Sequence, residues 1–215
     1  MFITFEGPDG SGKTTQVAQI SQILRQRGYN VLLTREPGGT AIGDQIREVL
    51  HSLKNDGMNP RAELLLYNAS RAQIVAEVIQ PHLKAGGLVV CDRFFDSTLA
   101  YQGYGHGLDL NTLRTIIEFA TGGLRPDVTF YLDISAEAGI QRRLSAVDQG
   151  GEWTRLDAMG EAFHNRVRDG YHQLIAAEPG RWVTINAAQS VEKVQADILA
   201  ALENRLDKTK TKEKE

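Results

Sequence analysis

Residues Gly7-Pro8-Asp9-Gly10-Ser11-Gly12-Lys13-Thr14 spell the pattern G-x-x-x-x-G-K-[ST], and both flanks suit a phosphate-binding turn between a strand and a helix. Ahead of it, Phe2-Ile3-Thr4-Phe5 reads as a buried strand. Behind it, Val17, Ile20 and Leu24 recur on one face of an amphipathic helix. In such a loop the backbone N–H groups and the helix N-terminus cradle polyphosphate, a lysine reaches the β and γ oxygens, and a hydroxyl ligates Mg²⁺. The residues Gly7 through Thr14, with Thr15 beside them, therefore predict a nucleoside triphosphate site. A Gly-rich turn with a surface lysine would not need the strand–loop–helix context.

The 215 residues suit one domain with a lid, and 41% hydrophobic with 24% charged content is ordinary for a globular chain. A net charge of −3 argues against a general nucleic-acid binder, so attraction for anions has to come from a few aimed arginines. One cysteine, no leader pattern and no apolar run of about 18 residues lead us to expect a cytoplasmic chain that uses neither disulfide nor membrane. Cys91 sits inside the apolar run Leu88–Cys91 and reads as core filler.

Strand and helix signals alternate. Further strands are expected at Asn30–Thr34, Leu88–Cys91, Val128–Leu132 and Trp182–Ile185, with helices between them, including a long one from Pro60. Five short apolar strands separated by helices predict an α/β fold, a five-stranded parallel sheet covered on both faces. The domain is expected to span residues 1–206. Residues 145–156, polar and glycine-containing with flanking arginines, suit a short lid, and residues 207–215 read as a disordered charged tail.

Three more segments follow strands: Arg35-Glu36-Pro37-Gly38-Gly39-Thr40, Asp92-Arg93-Phe94 and Ala100-Tyr101-Gln102-Gly103. In a parallel α/β sheet they fall with the phosphate loop at the carboxyl ends of the strands, where ligands bind. With that loop they resemble the bacterial thymidylate kinases, and the similarity continues through Arg125-Pro126-Asp127, Tyr131-Leu132-Asp133 and Arg155-Leu156-Asp157.

The resemblance implies a P-loop kinase fold, a homodimer, and Mg²⁺-dependent transfer of phosphate from ATP to dTMP. It implies roles for Lys13, Arg93, Arg155 and Asp92 in catalysis, and for Thr14 and Asp92 in holding Mg²⁺, although Asp92 could instead orient Arg93. It implies Asp9 at the sugar 3′-hydroxyl and Arg47 with Arg93 at the dTMP phosphate. Arg71 and Gln102 would read the thymine edge beside Tyr67, with Glu36, Pro37, Ser97 and Thr98 completing the dTMP site. Because this P-loop has no arginine, a lid arginine is implied, with Arg155 and Arg142 or Arg143 as candidates and Arg142 also at ATP. Thr98 replaces a frequent serine and Asn186 a frequent aspartate. The apolar stripe from Pro60 to Leu83 would serve either a dimer interface or packing on the sheet. The competing readings are another small P-loop kinase and a nucleotide-switched binding module, the latter expected to carry an N-K-x-D segment that this chain lacks.

Overall fold

Five apolar runs become five parallel strands, the central β1, β3 and β4 buried on both faces and the edge strands β2 and β5 only in part: β1 (Phe2–Glu6), β2 (Val31–Arg35), β3 (Leu88–Asp92), β4 (Val128–Asp133) and β5 (Trp182–Asn186). The computed structural model describes residues 1–148, 150–151 and 153–212, with the side chains of 207–212 excepted. The strands lie in the order β2-β3-β1-β4-β5. Pairing in register sets Phe5 beside Asp92 on one side and Phe130 on the other.

Alternation along β1 divides the core. Phe2 faces a cluster with Ile74, Phe94, Leu113 and Tyr171, while Ile3 and Phe5 face one with Val17, Ile20, Leu132 and Ile198. The first layer comes from α3 (Pro60–Ile74), α6 (Leu110–Thr121) and α8 (Glu161–Ala177). The second comes from α1 (Lys13–Gln26) and α9 (Val191–Lys212). Between α1 and α3 lies α2 (Ala41–His51), capped by the Thr40 side chain accepting from the Gly43 backbone N–H at 3.0 Å. The helix begun at Pro60 widens into a π turn over Val75–Ile79 before α4 (Gln80–Lys84). Its apolar stripe is spent largely inside the chain, since Leu64, Ile74, Val75 and Ile79 are buried. After β3 come the short α5 (Phe95–Thr98) and a second π segment, Leu99–Gly105.

Two expectations shift. The segment proposed as a lid from residue 145 is helical through Asp148, because α7 (Ala136–Asp148) runs on into it; Gln149 and Glu152 lie outside the described residues. The backbone of α9 continues to Lys212, past the expected start of the tail, and residues 213–215 lie outside the described residues. Among the described residues no helix is long and apolar enough to cross a membrane.

Helix α7 docks directly on the phosphate loop through two glycines. Gly10 has φ 79°, a left-handed conformation, and its α-carbon faces the backbone of Gly139. A β-carbon at Gly139 would stand 2.5 Å from the Asp9 carbonyl oxygen. Gly139→Ala is therefore expected to push α7 off the loop, destabilise the fold by about 1–3 kcal/mol and lower activity. A thermal unfolding midpoint and turnover both equal to the parent's would refute this close packing.

Candidate active site

The carboxyl ends of β1, β2 and β3 each release a polar segment into one cleft of about 550 Å³. Its walls include Asp9, Lys13 and Thr14 from the loop, Glu36, Pro37 and Arg47, Tyr67 and Arg71 from α3, Asp92 and Arg93 after β3, Ser97, Thr98 and Gln102, and Arg142 and Arg143 from α7. Gly10, Gly12 and Thr15 also line it, whereas Gly7, Pro8 and Ser11 hold the loop from beneath.

Lys13 is buried, its ammonium donating to the carbonyls of Gly7 at 3.0 Å and Pro8 at 2.8 Å and to Ser11 Oγ at 3.3 Å. Burial and the neighbouring Arg93 cation lower its pKa to about 8, against the pull of Asp9, Asp92 and Glu6. Thr14 Oγ1 donates to Asp92 Oδ2 at 2.7 Å. This hydroxyl and carboxylate are hard oxygen donors beside the loop. They fit a small divalent cation that draws its remaining ligands from water and phosphate. Among the described residues no cluster of three or more His, Cys, Asp or Glu offers a fuller cage.

Arg93 has φ 68°, rare for a residue with a side chain. That conformation is fixed on several sides. Its N–H donates to the Phe5 carbonyl at 2.9 Å; its guanidinium reaches Asp9 Oδ1 at 2.6 Å, the Gly7 carbonyl at 3.1 Å, Ser97 Oγ at 3.0 Å and the Tyr101 hydroxyl at 3.2 Å. The Tyr101 hydroxyl also donates to Asp9 Oδ2 at 2.8 Å, so Arg93 and Tyr101 grip both oxygens of that carboxylate. Burial alone would raise the pKa of Asp9, but Arg93 and Lys13 hold it well below the usual range. Asp92 thus faces Thr14, and the acid that orients the Arg93 side chain is Asp9.

Beneath Arg93 lies Glu6, fully buried, accepting from the Phe94 backbone N–H at 2.8 Å, Ser97 Oγ at 2.6 Å and the Tyr171 hydroxyl at 2.8 Å. Burial and nearby Asp96 push its pKa up to about 7 despite Arg93. Glu6, Tyr101 and Tyr171 were not singled out from the sequence. Tyr101 stood inside the quoted Ala100–Gly103 segment, and Glu6 ends the strand feeding the loop, so position was the available signal.

At the far end of the cleft, Arg71 is 1% exposed and donates through Nε to Glu36 Oε2 at 2.9 Å and through Nη1 to Asn68 Oδ1 at 2.9 Å. Burial raises the Glu36 pKa to about 7, outweighing Arg71. Glu36 Oε1 and Thr98 Oγ1 are buried on residues lining this end and find no hydrogen-bond partner in the protein. Such atoms are costly unless a ligand satisfies them. Pro37 contributes its carbonyl to Arg47 Nη1 at 3.1 Å.

Arg155 departs from expectation. It does not line the cleft; its guanidinium turns inward, 6% exposed, and donates to Glu63, a fully buried carboxylate on α3. Arg143 stands on the cleft wall instead, gripped by Asp157 through Nε at 2.8 Å and Nη2 at 2.6 Å. Arg142, also on the wall, donates to the Ala187 carbonyl at 2.9 Å. The inward turn has a simple cause: the guanidinium supplies a cation to the buried Glu63 carboxylate.

Residues 5–198 match the family model described as thymidylate kinase. The thymidylate kinase of Roseiflexus sp. (strain RS-1) is 53% identical over 211 residues, covering 94% of this chain and 93% of its own. That of Herpetosiphon aurantiacus is 46% identical, covering 98% of each. The crystal structure of thymidylate kinase from Ehrlichia chaffeensis superposes with a TM-score of 0.76 at 34% identity, over 94% of this chain and 98% of that one.

The chain belongs to the thymidylate kinase family. The P-loop kinase fold expected from the sequence is the fold observed. Lys13 and Thr14 on the phosphate loop, and Arg71 and Gln102 beyond it, line this one cleft, and the loop is its expected donor end. The Lys13 charge is the most pH-sensitive element of the donor end. Above about 8 the free site loses that cation, so a nonhydrolysable ATP analogue should bind more weakly as pH rises through this value. Calorimetric titration across that range checks it, and an affinity level on both sides overturns it.

Proposed function

We propose that this chain catalyses ATP-dependent phosphorylation of dTMP to dTDP. The observation that carries the reading is the single cleft joining the P-loop to a donor-lined end where Arg71, Gln102 and Tyr67 meet. An arginine only donates, so Arg71 suits a base with a carbonyl at C4 and disfavours the amino group of cytosine. Gln102 faces the same end, and Tyr67 supplies an aromatic wall.

An oxygen of the dTMP phosphate attacks the γ-phosphorus of ATP, the bond to the β–γ bridging oxygen breaks, and ADP leaves. The attacking oxygen needs no general base, since the second pKa of a phosphate monoester is about 6. What the protein must do is bring two polyanions into line. Arg47 and Arg93 hold the acceptor phosphate, Asp9 receives the sugar 3′-hydroxyl, and Lys13 leaves its loop carbonyls for the donor's oxygens. Thr14 and Asp92 would hold Mg²⁺, which when bound neutralises charge on the phosphates. Arg143, not Arg155, supplies the lid-side cation, with Arg142 beside it.

We further propose a cytoplasmic homodimer. Val49 on α2, Leu65 on α3 and Phe119 on α6 leave exposed apolar side chains on neighbouring helices, Phe119 being 91% exposed. Light scattering at assay concentration tests the dimer.

Incubation with Mg²⁺-ATP and each of dTMP, dUMP, dCMP, AMP and thymidine should release ADP chiefly with dTMP. Modest turnover of dUMP is expected, because a methyl pocket discriminates by only about 1–3 kcal/mol. Lys13→Ala should abolish most activity in a folded protein. Arg143→Ala should lower kcat at least about tenfold, a small part of the 10³–10⁵ that arginine fingers contribute. A folded Arg143→Ala variant with parental kcat would move the lid-side role elsewhere.

A further inference from the structure

The buried carboxylate of Glu63 touches no part of the cleft, yet it holds a residue that does. Its Oε1 accepts from Gln102 Nε2 at 2.6 Å and lies 3.2 Å from His106 Nε2, while its Oε2 accepts from Arg155 Nη2. Glu63 is 0% exposed and Gln102 is 1% exposed, so the pair is sealed from water on the side away from the cleft. Burial raises the pKa of Glu63, but nearby His106 and the hydrogen bonds from Arg155 and Gln102 prevail and keep it below the usual value.

A carboxylate can only accept, and a glutamine amide carries a donor at one end and an acceptor at the other. With Nε2 committed to Glu63, the Gln102 carbonyl Oε1 is turned away from it, and Gln102 lines the base end of the cleft. An acceptor there suits a base with N3–H, as thymine and uracil have, and opposes cytosine, whose N3 is itself an acceptor. Arg155 completes the device by saturating the other carboxylate oxygen.

We infer that Glu63 is a specificity-determining positioning residue, which with Arg155 locks the Gln102 amide in the orientation that accepts from N3–H and rejects cytosine. This inference rests on the reading of the cleft as a dTMP site. Its chemistry makes a sharper demand than mere support of the fold. Thymine and uracil present the same N3–H, so discrimination between dTMP and dUMP should not depend on Glu63 at all.

Glu63→Gln replaces two acceptors by one acceptor and one donor. Arg155 cannot accept, so it takes the new amide's oxygen. Gln102 then satisfies the new N–H₂ by turning Oε1 inward, which presents its own Nε2 to the base. The expected result is a fall of about tenfold or more in the ratio of kcat/KM for dTMP to that for dCMP. The dTMP to dUMP ratio and the KM for ATP should stay at parental values. In a Gln102→Ala background, Glu63→Gln should change the dTMP to dCMP ratio no further.

Because Glu63→Gln leaves the Arg155 charge buried without a carboxylate, the double variant Glu63→Gln/Arg155→Met is measured beside it. That variant keeps no charge to strand, and its freed Gln102 amide should also lose discrimination against dCMP. Should Gln102→Ala lower the ratio while a folded Glu63 variant keeps it, the Glu63 inference is overturned and the base-reading role of Gln102 stands. If Gln102→Ala leaves the ratio untouched, Gln102 does not read the base and the inference falls with it. A parent enzyme that does not prefer dTMP would instead overturn the underlying function.

Discussion

The grip of Arg93 on Asp9 is the interaction on which the rest of the site depends. It ties the end of β3 to the variable part of the phosphate loop at 2.6 Å, two segments that the sequence separates by more than eighty residues. The backbone at Arg93 takes a conformation costing of order 1–3 kcal/mol, and it is held there by its own N–H and by five side-chain hydrogen bonds. Such over-determination places a cation at a fixed spot before substrate arrives. A phosphoryl-transfer site gains most from groups that need not reorganise during the reaction.

Holding that cation in a cleft has a consequence beneath it. The charge of Arg93 is shared among Asp9, two tyrosine hydroxyls and the field of buried Glu6. Glu6 in turn sits near Asp96, whose own partner is Arg181 at 2.7 Å. The two acids Glu6 and Asp96 thus adjoin each other in the core, flanked by Arg93 on the cleft side and Arg181 on the other. Each buried charge finds a counterpart, because an unpaired one would cost several kcal/mol. The same rule explains the Arg71–Glu36 and Arg155–Glu63 pairs, both almost fully enclosed.

Much of this was legible in the sequence. The strands could be read because a parallel sheet buried on both faces demands uninterrupted apolar runs, and Phe2–Phe5 and Leu88–Cys91 supply them. The donor end could be read because a phosphate loop is local, its geometry fixed within eight residues. The acceptor end was named only through resemblance, since Tyr67 and Arg71 at helical spacing carry no signal by themselves. Hardest to read were the partners of the arginines. Charge type and position along the chain made Arg155 a fair candidate for the phosphates, but which carboxylate a long side chain meets is decided by packing. Glu63 lies 92 residues earlier and inside a helix whose neighbours look like ordinary core.

The inward turn of Arg155 bears on how the chain after α7 is coupled to Gln102. Arg143 lies on α7 and Arg155 between α7 and α8, and each is tethered by a carboxylate, Asp157 for one and Glu63 for the other. Asp157 also accepts from the Thr154 backbone N–H at 2.8 Å, so it staples the chain three residues before itself as well as α7. Arg143 and Asp157 thus join α7 to the chain beyond it at the cleft wall, while Arg155 joins that same part of the chain to Glu63 on α3 and, through Glu63, to Gln102. Two ion pairs a few residues apart therefore connect one stretch of chain to two different walls of the cleft.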